Sequence, residues 1–226
     1  DWGKESAEKI AASFLKELPV WVRCNLNLAS KEEILAALKK QQVSAEQVEG
    51  FDSMLALSEY DHMESLDAFQ KGWIQVQDIS SALVGELAAP EKGSYIIDVC
   101  AAPGGKSLHL ADKMEGTGCV EARDLTYQKV ALIEENASRM GALNIKAVQW
   151  DATEFDPESE NKADLVIADL PCSGLGIIGR KPDIKYHTTK ENLRELSKLQ
   201  KEILSVVWKY VKPGGRLIYS TCTINK

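Results

Sequence analysis

From residue 94 to residue 222 the chain alternates between two textures: SYIIDVC, a helical stretch, GCVEARD, a second helical stretch, IKAVQWD, DLVIADLP, a third helical stretch and GRLIYSTC. Five short runs rich in Ile and Val, joined mainly by helical crossovers, predict parallel strands that are covered on both faces. The expected fold class is therefore α/β, with a doubly wound, mostly parallel sheet. In such a sheet ligands bind beyond the carboxyl ends of the strands, so the residues that end each run are the candidates for function.

What precedes this pattern is different. GKESAEKIAASFLKE (3–17) has the spacing of an amphipathic helix, with Ile10, Ala11, Phe14 and Leu15 on one stripe. VWVRCNLN (20–27) alternates like a strand, and Ser30 with Glu33 forms a capping-box pattern that opens a helix over 31–40. With a further extended stretch near 53–57, residues 1–65 are expected to form a small α+β module. Residues 66–93 are expected to be a connector ending in a helix over 77–89, and 94–226 the main domain.

Composition narrows the classes. The 226 residues include no run near the roughly 20 apolar residues of a membrane span, so a membrane partner is not expected. Net charge is −7, so any RNA or DNA partner must be met by local charge, and residues 177–201 carry seven Lys and Arg against three Asp and Glu. Five widely spaced cysteines and no signal-like segment point to reduced thiols in a cytoplasm, and no C-x-x-C or Cys/His cluster suggests a metal.

The strand ends carry the chemistry. The first run reaches Asp98 and then Cys100-Ala101-Ala102-Pro103-Gly104-Gly105-Lys106, whose glycines let backbone amides approach a ligand at a helix start. This is neither a phosphate-binding Walker loop nor a dinucleotide fingerprint. The second run ends at Asp124, where a carboxylate can accept both hydroxyls of a ribose. The third ends at Trp150-Asp151, within reach of an adenine edge. The fourth ends at Asp169-Leu170-Pro171-Cys172 and the fifth at Ser220-Thr221-Cys222, so two thiols 50 residues apart are predicted to face one cleft.

VCAAPGGKS, ADLPCSGLG, RKPDIK and STCT, in this order, resemble the motifs of the RsmB/Sun family of S-adenosylmethionine-dependent RNA 5-methylcytosine methyltransferases. QDISSALV resembles the helix that leads into that family's first strand, and the resemblance covers about residues 5–226. It implies a Rossmann-like methyltransferase fold, with S-adenosylmethionine held by the residues from Cys100 to Lys106 and by Asp124, Asp151 and Asp169. It implies Cys222 as the nucleophile on cytosine carbon 6, Cys172 as the residue that helps release product, and Asp169 as a catalytic partner. RNA, ribosomal or transfer, is the implied partner, with Arg23, Arg180, Lys181 and Lys185 as contacts and a monomer as the expected state. Trp150, Leu170 and Gly179 depart from the residues common in the family. The family normally continues past Lys226 with a helix and two strands, so the main domain is expected to be truncated.

Cytosine carbon 5 is too weak a nucleophile to take a methyl group unaided, and a thiolate added at carbon 6 makes it enamine-like. That chemistry needs a nucleophile and a base, which two thiols supply. A catalytically silent RNA-binding or assembly factor on the same fold is the alternative, and it gives no reason to keep both. A small-molecule or protein methyltransferase would leave Cys222 unexplained, and a DNA cytosine enzyme would use only the cysteine that follows proline.

Overall fold

The structure, a computed structural model, describes residues 3–16 and 18–224. The first unit contains α1 (Lys4–Ser13), β1 (Val20–Cys24), α2 (Lys31–Lys40), β2 (Ser44–Gln47), β3 (Met54–Ser58), α3 (Asp67–Gln70) and β4 (Ile74–Val76). Its sheet is antiparallel in the order β2-β3-β1-β4. One face packs Val22, Leu55, Leu57 and Ile74 against Ile34 and Leu38 of α2. Ser30 and Glu33 close the capping box on α2 as their spacing predicts.

Three features differ from expectation. β2 is a polar edge strand, SAEQ, with no apolar alternation to reveal it. The sheet's fourth strand, β4, comes from the stretch expected to be a connector, so the hydrogen-bonded unit runs on to Val76. Helix α1 forms, but its apolar stripe finds no core: none of its residues is buried, and Leu15 beyond it is 89% exposed. Glu17, the last residue of the expected helix, lies outside the described residues.

After α4 (Ile79–Ala88) come β5 (Tyr95–Asp98), α5 (Gly105–Lys113), β6 (Cys119–Asp124), α6 (Tyr127–Arg139), β7 (Ile145–Gln149), β8 (Ala163–Asp169), α7 (Ile184–His187), α8 (Lys190–Val207) and β9 (Val211–Ser220). The five strands are parallel in the order β7-β6-β5-β8-β9. Alternation within the runs decides the two faces. Ile96, Leu165 and Ile167 meet Val84, Leu110 and Met114 from α4 and α5, while Ile97, Val166 and Ala168 meet Ile203 and Val207 of α8. Chain direction across the sheet reverses between β5 and β8, and a crevice opens where it does.

The two units are joined by buried polar groups rather than by apolar contact alone. Arg23 of β1 is 1% exposed; its Nε donates to Gln77 Oε1 at 3.0 Å and its Nη1 to the Asp112 carboxylate at the end of α5. Asn25 donates to the Met140 carbonyl at 3.3 Å, and Arg139 reaches back from α6 to the Phe69 carbonyl at 2.8 Å. Arg23, expected on an RNA-facing surface, is thus an internal ion-pair partner. Its Nη2 has no partner but is buried, so the guanidinium does not reach a phosphate at the surface.

Candidate active site

Backbone geometry builds the floor of the site. After Asp98 the chain turns through Val99 to Pro103, and Gly104, at φ 104°, starts α5 in a conformation that a side-chain-bearing residue rarely adopts. Asp124 holds this loop down: one carboxylate oxygen accepts from Ala102 N at 2.9 Å, and the other from Leu125 N at 2.8 Å and Lys129 Nζ at 3.0 Å. Asp151 is fixed through one oxygen by Thr153, whose amide and hydroxyl donate at 2.9 and 2.7 Å. Its other oxygen remains for the cleft.

Two connected cavities lie over this floor. One, about 330 Å³, is lined by Cys100, Asp124, Trp150, Asp151, Cys172 and Cys222 among others. The second, about 230 Å³, is lined by Asp98, Gly105 and Lys106, and shares Cys100, Ala102 and Asp169 with the first. Of the cofactor-side residues expected from the sequence, all but Gly104 line one or other of these two adjoining cavities at the strand ends. Burial, with the charges of Asp98 and Asp124, pushes the Cys100 thiol up to about 12, so it serves as wall rather than reagent.

Asp98 is the residue whose role the sequence did not reveal. Its Oδ2 accepts from the Ser107 hydroxyl at 2.7 Å, while Oδ1 is buried without a partner. Burial raises the carboxyl to about 6, against the opposing pull of Ser107 and Lys106. A raised carboxyl stabilises the fold fully below its unfolded value of 3.8, and that contribution is lost as pH rises through about 6. Removing the charge should therefore help only at higher pH. Asp98→Asn is expected to melt with the wild type near pH 4 and to be more stable above pH 6, by up to about 3 kcal/mol. Thermal melts across that window check this; equal gaps at both ends would remove the buried charge as the cause.

At the β8 and β9 end of the crevice, Asp169 is held from both sides. Lys106 Nζ donates to its Oδ2 at 2.7 Å and the Ser220 hydroxyl to its Oδ1 at 2.7 Å, while Lys106 also donates to Ser81 of α4 at 3.2 Å. Beside it the two thiols meet, Sγ to Sγ, at 3.2 Å. Neighbouring loops keep them there. Ser173 and Thr223 share a hydroxyl hydrogen bond at 2.6 Å, and Gly176 N donates to the Cys222 carbonyl at 2.9 Å, so close that a Cβ on Gly176 would lie 2.8 Å from that oxygen. The contact with the Cys222 thiol, with the Gly174 amide, holds the Cys172 thiol down at about 6 despite its burial. The same bond and the Cys172 charge push Cys222 up.

A groove of about 620 Å³ runs from Cys172 between α7 and α8. Lys181 and Lys185 are exposed near it, and neither they nor the cations of α8 make an ion pair among the described residues. Arg180 differs. Its guanidinium bonds Asp78 at 3.0 Å and the Pro19 carbonyl at 3.2 Å and lies 4.6 Å from the Trp21 ring, with 28% of the side chain exposed. It ties the loop after Cys172 to the first unit. Among the described residues no group of three His, Cys, Asp or Glu is placed to hold a metal, and no helix is long and apolar enough to cross a membrane.

A parallel sheet in this order, with a glycine loop after its first strand and acidic residues at the next two strand ends, defines the Rossmann-like methyltransferase class. The sequence profile described as 16S rRNA methyltransferase RsmB/F matches residues 86–226, and a ferredoxin-like domain profile of RsmF/B-like methyltransferases matches 1–63. The chain belongs to the RsmB/F family. It is 36% identical to ribosomal RNA small subunit methyltransferase B of Proteus mirabilis over 209 residues, covering 91% of this chain and 49% of that one. The probable counterpart in Bacillus subtilis is 36% identical over 226 residues, covering 100% of this chain and 50% of that one. The chain thus spans about half the length of the curated relatives it matches. Among solved structures, PH0851 superposes with a TM-score of 0.93 at 32% identity, over 97% of this chain and 50% of that one. A methyltransferase homolog from Pyrococcus horikoshii superposes at 0.83 and 28% identity, over 98% and 70%.

Proposed function

We propose that the chain carries the catalytic centre of an S-adenosylmethionine-dependent enzyme that methylates carbon 5 of cytosine in RNA, ribosomal RNA first. The observation that carries this is the thiol pair at 3.2 Å beside an Asp169 clamped by Lys106 and Ser220. A binding module has no use for that arrangement. The names of the matching relatives, small subunit rRNA methyltransferases, support ribosomal RNA as the substrate.

The crevice fits the cofactor. Asp98 offers a buried acceptor without a partner, suited to an ammonium group, and open space faces Gly105 where a Cβ would otherwise project. Asp124 and Asp151 supply acceptors for ribose and adenine, and the Cys100 to Lys106 loop supplies backbone. When bound, S-adenosylmethionine provides the methyl group on a sulfonium. Asp124→Ala is expected to weaken S-adenosylhomocysteine binding by about 1.5–3 kcal/mol, the scale of lost hydrogen bonds to a charged group. Calorimetry giving wild-type affinity would take Asp124 out of the site.

The thiols divide the remaining work. At neutral pH the pair holds one negative charge, resting on Cys172 with the Cys222 proton shared toward it. Moving that proton fully to Cys172 frees Cys222 to add at carbon 6 of the cytosine, while Asp169, kept in place by Lys106 and Ser220, steadies the ring nitrogen and amino group as electron density builds there. Once carbon 5 bears the methyl group it must lose its proton. Cys172, having released its own proton to solvent, takes it, and the carbon–sulfur bond to Cys222 then breaks. The cytosine has to leave its stack to reach the sulfur, which favours single-stranded or loop RNA. Bisulfite sequencing of RNA incubated with the protein and S-adenosylmethionine tests the proposal, because it reports conversion and position together; unprotected cytosines throughout would refute it.

A further inference from the structure

We infer that Trp150 forms an aromatic wall of the cofactor crevice and binds the purine ring there. The inference rests on the reading of this crevice as an S-adenosylmethionine site and deepens it by naming a recognition residue. Trp150 lines the 330 Å³ cavity together with Asp124 and Asp151, the two carboxylates proposed above to hold the nucleoside. Its backbone amide donates to the Asp124 carbonyl at 2.9 Å, so the end of β7 and the end of β6 move as one piece.

The ring itself is fixed twice. Its indole N–H donates to the Glu154 carbonyl at 2.9 Å, which sets the edge direction. One side lies 5.4 Å from the Arg123 guanidinium, itself held by Glu121 at 2.7 Å, Asp156 at 2.8 Å and Ser159 at 2.6 Å. A cation at that distance attracts the ring and cannot move away from it. Leu125, Leu199 and Ile203 line the same cavity. A flat aromatic ligand placed among them gains apolar contact, and the fixed indole adds stacking or edge contact at little entropic cost, since its own side chain is already ordered.

The wild-type chain, Trp150→Phe, Trp150→Ala and Trp208→Phe are titrated with S-adenosylhomocysteine, by calorimetry and by tryptophan emission. Trp208 is 61% exposed and lies outside the crevice, so its variant reports the unspecific response. The expected result is a wild-type emission change that persists in Trp208→Phe and largely disappears in Trp150→Phe. Trp150→Phe should hold the ligand within about threefold of wild type, and Trp150→Ala should weaken it roughly tenfold or more. Emission change surviving in Trp150→Phe, or Trp150→Ala within twofold of wild type, overturns the assignment while leaving the cofactor site standing. If Trp150→Ala does not fold, the emission of Trp150→Phe decides alone. A wild-type chain with neither heat nor emission change overturns the cofactor reading and this inference together.

Discussion

With labelled RNA and S-adenosylmethionine, Cys222→Ala should give neither methylated product nor a covalent complex, and Cys172→Ala should accumulate protein attached to RNA. Loss of the nucleophile removes the step on which everything later depends, so turnover should fall by on the order of 10⁴- to 10⁶-fold. Loss of Cys172 removes the group that takes the carbon 5 proton, so elimination stalls after transfer. Denaturing, non-reducing gels separate these outcomes. The thiol contact makes the test sharper than sequence order alone, because it lowers the Cys172 thiol and raises Cys222, which favours charge on the opposite thiol from the proposed nucleophile. If Cys172→Ala gives no adduct and Cys222→Ala traps RNA, the charge has marked the nucleophile and the roles are exchanged. The wild-type kcat/KM should rise with pH through about 6, as the pair loses its first proton. In Cys222→Ala the Cys172 thiolate, followed by ultraviolet absorbance, should need higher pH, because the donor that holds it down is gone.

How much of this could be read from the sequence depended on where each signal lies. Central strands write themselves as apolar runs, as in β5 and β8, and the alternation of such runs with helical stretches made the edge strands β7 and β9 and the carboxyl ends legible too. Once they were, Asp124, Asp151, Asp169, Cys172 and Cys222 fell into one crevice. The meeting of the thiols followed from β8 and β9 being neighbours. β2 was not legible because an edge strand of SAEQ has neither branched residues nor alternation. Asp98 was visible at a strand end, but its orphaned oxygen depends on Ser107 satisfying only the other one. Trp150 stood at a legible strand end and as a departure from the family, but its fixed orientation comes from the Glu154 carbonyl and from Arg123, which no motif singled out.

The largest stability effect is expected at the join between the two units. On β1, Val22 and Cys24 enter the core of the small unit, so Trp21 and Arg23 occupy the opposite face. The resemblance made Arg23 an expected RNA contact, and alternation, which marks that face as polar and so ordinarily as solvent-facing, did not speak against it. The second unit covers it instead. Burial raises the Asp112 carboxyl even with the guanidinium beside it, so desolvation outweighs attraction and the pair adds little net stability. Breaking it is another matter. Arg23→Met leaves Asp112 without its partner and should cost about 3–5 kcal/mol, whereas Arg23→Met with Asp112→Leu should recover most of that loss. Denaturant unfolding of the two single variants and the double variant checks this, and RNA affinity measured on the folded fraction gives the contrast. A phosphate contact would make Arg23→Met bind RNA weakly at unchanged stability, and no change at Asp112 would restore it.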